Sequence, residues 1–415
     1  MMLLKPVRLG VCSVLMIMGS WSLAFAQSAV GSGPLTGTLT DTEPTAGVLS
    51  LGRVKVAPGI TVREIGFDDN VFDEAESESP KQDYTASVTP DISAFSLLRF
   101  VRVSAYAGAD LTYYQKYETE RSTGYAGRAR VDVLLSRMRP FFGAGETKTR
   151  NRPNGEIDVR VNRVEREASG GFAFDLSAHS LVYGAAYKSS SRFEEAFEEG
   201  IDLSGALSRE SFNYQGGLKT DLTPLLSLQL FGSYQDDQFR SEPIRNAIGK
   251  AGTAIIRIAP EAVLTGIVTV SFKDTTYADP GIKPFRGVVG NAAITYPVLE
   301  IGRLSFVAQR GVEYSFDAVE AYYVENSGTL SYTHRLFGAV DLQAKVARSL
   351  FDYSARATEP PHKDTLDTAG GSLGYNLRNR TRISMNYEYS RRRSPAFSAR
   401  NYQRRRIYLS WLFAF

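Results

Sequence analysis

The chain has 415 residues, with 48 Lys and Arg against 45 Asp and Glu, and a net charge of +3 is too small to argue for a nucleic-acid partner. Its one cysteine, Cys12, lies so near the start that the rest of the chain has no thiol for a disulfide, a Cys-ligated metal or a Cys nucleophile. Tyr and Phe make up nearly all of the 11% aromatic content, a weighting that suits strands.

Lys5 and Arg8 precede an almost wholly apolar stretch from Val11 to Leu23, and Ala24-Phe25-Ala26 places small residues where a signal peptidase reads. Residues 1–26 are therefore expected to be a cleaved signal peptide, because a spanning helix needs ~20 apolar residues and this stretch is shorter. Residues 27–58 are rich in Gly, Thr, Ser and Pro without a period and are expected to form a flexible periplasmic leader.

From Gly59 onward the signal is alternation. Along Phe100–Tyr114 one face reads Val101, Val103, Ala105, Ala107, Ala109, Leu111, Tyr113, and the other Arg102, Ser104, Tyr106, Gly108, Asp110, Thr112, Tyr114. Ala262–Lys273 and Arg382–Ser390 repeat the pattern. A period of two over ten or more residues predicts strands between two unlike environments. Soluble strands average ~5–6 residues, so these are long for a sandwich. After residue 26 no apolar run reaches helix-spanning length, so a membrane protein of this kind must close a sheet to satisfy its backbone.

Short turns are expected at Leu98-Arg99, Ser136-Arg137, Ala178-His179, Thr223-Pro224, Pro260-Glu261, Pro297-Val298, His334-Arg335 and Arg378-Asn379. Longer polar stretches lie between them: 68–83, 115–121, 150–162, 192–209, 239–249, 274–283, 317–320, 351–364 and 391–401. Short turns on one side and long loops on the other are the outer-membrane arrangement. The expected fold is all-β: a transmembrane antiparallel up-and-down β-barrel over residues 59–415, in the outer membrane, with about 18 strands, or 16 if the short 317–320 stretch is no loop. Pro90 falls inside the second strand, where a barrel has no edge to host it, and a bulge is expected there.

The last residues alternate to the end: Ile407, Leu409, Trp411, Phe413 and Phe415 take every second position. This resembles the C-terminal signal read by the barrel assembly machinery, which makes Trp411, Phe413 and Phe415 the expected assembly signal and that machinery an expected partner.

The segment Gly59–Phe72 ends in Asp69-Asn70-Val71-Phe72. It resembles the opening strand of the beta-barrel porin-2 family of proteobacterial outer-membrane proteins, in which a first strand commonly ends in an Asp-Asn-aliphatic-aromatic step. The layout agrees from Gly59 to Phe415, the motif only in this first segment. Members often accompany exopolysaccharide or capsule systems, so the resemblance implies a place at a polysaccharide exit, with export components as partners. It carries over no catalytic residue.

Catalytic chemistry is not expected. His179 and His334 fall in turns on one side and His362 in a loop on the other, whereas a metal site needs them to converge. No cofactor, metal or enzymatic site is expected. Lumen-lining candidates are Arg102, Asp110, Arg128, Arg130, Asp132, Lys188, Lys219, Asp341, Lys345, Arg382 and Glu388. They read either as mutually paired charges that keep the wall rigid and wet, or as an electrostatic filter. Two functions follow: an aqueous pore, from diffusion porin to polysaccharide conduit, or a non-conducting barrel whose charged loops bind lipopolysaccharide or polysaccharide. Eighteen strands make a wall wide enough for an aqueous channel. Outer-membrane lipid and lipopolysaccharide are expected neighbours either way.

Closure of a barrel sets the first strand beside the last. The first loop carries Asp68, Asp69, Asp73, Glu74, Glu76, Glu78 and Asp83 with Lys81 opposed, and the last loop and strand top carry Arg391, Arg392, Arg393, Arg400, Arg404, Arg405 and Arg406. The two clusters are expected to pair across the seam.

Overall fold

The computed structural model describes residues 49–299, 301–317, 321–353, 361–377 and 381–414. The expected signal peptide, most of the leader, Phe415 and the Arg378-Asn379 turn lie outside the described residues.

Alternation becomes long strands. They are β1 (Leu49–Leu51), β2 (Val54–Asp68), β3 (Asp83–Leu98), β4 (Val101–Tyr114), β5 (Ser122–Val133), β6 (Met138–Asn151), β7 (Val161–Asp175) and β8 (Ser180–Phe193). A small hairpin of β9 (Phe197–Glu198) and β10 (Ile201–Asp202) then leads into a short helix, α1 (Leu203–Leu207). The wall resumes with β11 (Arg209–Thr223), β12 (Leu226–Phe239), β13 (Ala247–Ile258), β14 (Thr265–Tyr277), β15 (Phe285–Val298) and β16 (Gly302–Tyr314). It ends with β17 (Tyr322–Phe337), β18 (Val340–Tyr353), β19 (His362–Leu377), β20 (Thr381–Arg393) and β21 (Tyr402–Ala414).

Neighbours in sequence pair antiparallel, β8 pairs with β11, and β21 returns to β2 from Gly59↔Ala414 to Asp68↔Arg406. The result is a closed up-and-down barrel of 18 strands, with β1 only folding back on the start of β2. Closure leaves no unpaired edge, which is what a sheet in lipid requires. Leu230, Phe142, Phe272, Phe306, Leu342 and Met385 stand exposed on the outer face, as lipid-facing side chains would. Asp132, Gln229, Ser372, Ser384 and Asn386 are buried on the opposite face.

Three local expectations need correction. The first wall strand starts at Val54, not Gly59, and Pro58 pairs with Ile92 inside it. Turns expected at Pro297-Val298 and His334-Arg335 fall later, because β15 runs to Val298 and β17 to Phe337. Pro297 pairs with Arg303 of β16 but lies beyond the last β14 pair, Thr265↔Thr295, so its missing N–H costs no bond on that side. Pro90 makes no bulge. Pairing with β4 lapses between Val88↔Leu111 and Asp91↔Gly108 and resumes in the same register. The bulge lies further along β2, opposite Thr85–Ser87, where the register slips between Arg63 and Gly66 and Glu64 takes φ 58°.

Candidate functional site

Strand parity decides which charges face the lumen. Arg102 and Arg130 both bind Asp132, at 3.3 Å and 2.8 Å, and the Arg130 guanidinium lies 4.1 Å from the centre of the Phe141 ring. Asp110 accepts from Arg63 at 3.1 Å and from the Thr89 hydroxyl at 2.7 Å. Arg128 lies over Tyr106. On the far wall Arg382 binds Asp341 at 2.7 Å, while Glu388 sits between Lys345 and Arg406. Lys219 shares its row with the buried Leu181 and Gln229 and faces inward near the turns. Seven of the residues expected in the lumen thus form three paired groups: Arg102, Arg130 and Asp132; Asp341 and Arg382; Lys345 and Glu388.

Lys188 is not among them. Its row partner is Phe212, two residues from the outward Tyr214, and it pairs with Glu210 at 3.3 Å on the outer face. A charge near a strand end can belong to the membrane interface, so charge alone did not place it.

The bulge in β2 has a chemical consequence. Side chains normally alternate, but the extra residue lets Arg63 and its neighbour Glu64 both reach inward: Arg63 to Asp110, Glu64 to Arg406 at 3.2 Å. The seam beside it is held by Arg404. It takes Asp68 in a bidentate grip and Asp73 at 3.1 Å. Asn70 adds a bond to the Gln403 carbonyl at 3.0 Å, and Asp69 accepts from the Arg405 backbone N–H at 2.6 Å. Arg406 also crosses the closure, to Glu64, but Arg392, Arg393 and Arg400 go elsewhere, which narrows the expected seam. Arg392 binds Asp364 and Asp158, Arg393 binds Asp367, Arg400 binds Glu199, and Lys81 turns back to Glu74.

Loop 152–160, between β6 and β7, crosses the lumen. Asn154 donates to the Tyr314 carbonyl at 3.3 Å, at the end of β16. Glu156 accepts from the Ser315 hydroxyl at 2.8 Å and from the Phe316 N–H at 3.3 Å. Arg392 of β20 donates to the Glu156 carbonyl at 3.3 Å. Arg152 reaches Asp73 at 3.1 Å beside the seam. A Cβ on Gly155 would lie 2.7 Å from the Phe351 ring of β18, so only glycine permits that approach.

Other loops close over this one. The Asp202 carboxylate caps α1 by accepting from the Ser204 and Gly205 N–H groups. The helix then packs Leu203, Ala206 and Leu207 against Ile157, Val161, Phe193 and Phe316. Arg245 bonds the Ser315 carbonyl, and Arg400 lies over the Phe316 and Phe397 rings. Burial raises the Glu156 carboxyl to about 7, although the Ser315 hydroxyl, Arg400 and Arg392 pull the other way. Asp158 is likewise raised to about 7, by burial first, against Arg392. Tyr323 Oη, Tyr353 Oη, Asp364 Oδ1 and Arg392 Nε are buried beside this junction without a hydrogen-bond partner. Each unmet group costs free energy in this arrangement.

None of the residues 152–160 was singled out from sequence. The available signal was an isolated Ile157 in a polar loop. Of the histidines, His362 stacks on Tyr353 at 4.5 Å on the loop side, whereas His179 lies in a turn and His334 near one.

A family model described as Putative beta-barrel porin 2 matches residues 49–415. No curated protein matches the chain. Among solved structures, a BenF-like porin from Pseudomonas fluorescens Pf-5 is similar at 11% identity and a TM-score of 0.51, covering 87% of this chain and 99% of its own. OpdO of Pseudomonas aeruginosa is similar at 13% identity and a TM-score of 0.49, covering 87% and 97%. At such identity the likeness to the BenF-like porin bears on the fold alone.

Proposed function

The chain belongs to the beta-barrel porin 2 family, and from that premise we propose that it is a gated aqueous pore of the outer membrane, held shut at its outer mouth by loop 152–160. The observation that carries this reading is the loop itself: it crosses a lumen walled by paired charges and is tied to the far side through Glu156, Ser315 and Arg392. Paired charges keep a wall hydrated without a strong bias of sign, which suits small hydrophilic solutes. A polysaccharide is the finer version of this cargo, the one the family likeness implied, and such a chain could thread only after the loop has moved.

Delivery belongs to the same reading. A signal peptide over residues 1–26 would send the chain to the periplasm, and Trp411, Phe413 and Phe415 would engage the assembly machinery. Liposome swelling tests the pore: vesicles carrying the barrel should swell slowly in small neutral and charged solutes, and faster once Arg392 is replaced by Met. No swelling under either condition would favour a non-conducting barrel.

A further inference from the structure

The outer face of β18–β21 carries an excess of arginine directly above its apolar band. On β20 the outward row runs Ile383, Met385, Tyr387, Tyr389 and then Arg391 and Arg393; on β21 it runs Phe413, Trp411, Leu409, Ile407 and then Arg405. Four apolar or aromatic positions on alternate residues span about 20 Å of a tilted strand, so the arginines sit at the outer boundary of the ~25 Å apolar band. Arg348 joins them from β18. It and Arg393 hold Asp367 between them, at 2.6 Å and 3.1 Å, yet both side chains remain more than half exposed. Arg391 lies directly across from Asp367 and acts on it through its charge, and neither it nor Arg405 forms a close ion pair with a carboxylate among the described residues. Asp69 is engaged by the Arg405 backbone, not its guanidinium.

Elsewhere on this rim outward charges are more evenly matched, as in Glu146 with Arg166 and Asp274 with Arg286. Arginine forks match phosphate oxygens in paired geometry, and at this depth in an outer membrane the phosphates are those of the outer-leaflet lipid.

The geometry points to a docking site on the outer face of β18–β21 for the phosphates of an outer-leaflet glycolipid, gripped by Arg391 and Arg405 with Arg348 and Arg393 steadied by Asp367. The acyl chains would lie along Tyr387, Met385 and Leu409 below. The site faces lipid rather than the lumen, so it stands whether or not the pore conducts.

Native mass spectrometry of the folded barrel in detergent tests it, with bis-phosphorylated lipid A, the same lipid stripped of both phosphates, and inorganic phosphate as probes. The wild-type barrel should retain the phosphorylated lipid about tenfold better than the stripped one. R391Q/R405Q should abolish that preference while R286Q, on another sector, keeps it. Equal retention of the two lipids overturns the proposal on the unaltered protein, so it survives any folding defect of a variant. Loss in R286Q as large as in R391Q/R405Q would remove the site from this sector. Displacement of the lipid by inorganic phosphate at equal concentration would make this a free-anion site and would also overturn the lipid assignment.

Discussion

Arg392, on the wall strand β20, donates to the backbone carbonyl of Glu156, a residue 236 positions earlier in the chain and anchored on the other side of the barrel. The same guanidinium also holds Asp364 at 3.1 Å and Asp158 at 3.4 Å. One nearly inaccessible side chain therefore joins wall and loop.

Replacing Arg392 with Met should free the loop. Asp364 would be left buried without its cation, at a cost of about 3–5 kcal/mol to the closed arrangement, and Asp158 would lose its tie to the wall. Trypsin added to the folded protein should then cut after Arg160, which the wild type protects. The exposed neighbour Arg393 is the control, and its replacement should leave protection intact.

Closure should weaken as pH rises. Glu156 and Asp158 have carboxyls raised to about 7 in the packed loop, against 4.5 and 3.8 when hydrated. The packed state therefore binds protons more tightly than the open one. Its advantage is complete below about pH 4, falls through the interval up to 7, and is gone above that. The groups facing Glu156 are Ser315, Arg392 and Arg400; those facing Asp158 are Arg392, Arg152, Asp73 and Glu198. The open fraction of single channels should climb between pH 5 and 7.5 and then level off, while Glu156→Gln should remove about half of the slope and leave the part that Asp158 contributes. A slope of opposite sign would reject this titration.

The seam should respond to a charge swap. Asp68→Arg alone would set an arginine against Arg404 and Arg406 inside the closure. The unboiled folded band should then convert at a lower temperature than wild type. Adding Arg404→Asp should recover at least half of that loss, because the pair would re-form in reverse. No recovery would mean that the two residues do not couple across the closure.

Removing Phe413 to Phe415 should lower the amount of barrel in the outer membrane and leave degraded chain in the periplasm. Phe413 pairs with Ile60 and Thr381, so the loss also strips the end of the closing strand from both neighbours. Phe413→Leu keeps the strand and separates the two effects: if the aromatic is the recognised feature, levels still fall.

Period-two alternation made the wall legible in the sequence, since each strand separates lipid from lumen residue by residue. Of its lumen candidates, Arg102, Asp132, Asp341 and Arg382 lie in paired groups on the inner face. It misplaced Lys188, because charges at strand ends also face outward at the membrane boundary. It missed Glu64, whose inward direction depends on a bulge that breaks the alternation. The contacts of loop 152–160 lay beyond its reach altogether. Glu156 and Ser315 are 159 residues apart, and no local pattern reports which loop folds inward. The seam was half visible: adjacency of first and last strands follows from closure, but the register that gives Asp68 to Arg404 and leaves Arg393 to Asp367 does not.

Single-channel recording in planar bilayers, comparing the intact barrel with one lacking residues 153–159, tests the central claim most directly. The intact barrel should be closed for most of the record at pH 6, and the shortened one should stay open with a steady, larger conductance. Equal conductance in the two, or silence in both, would contradict a pore gated by this loop.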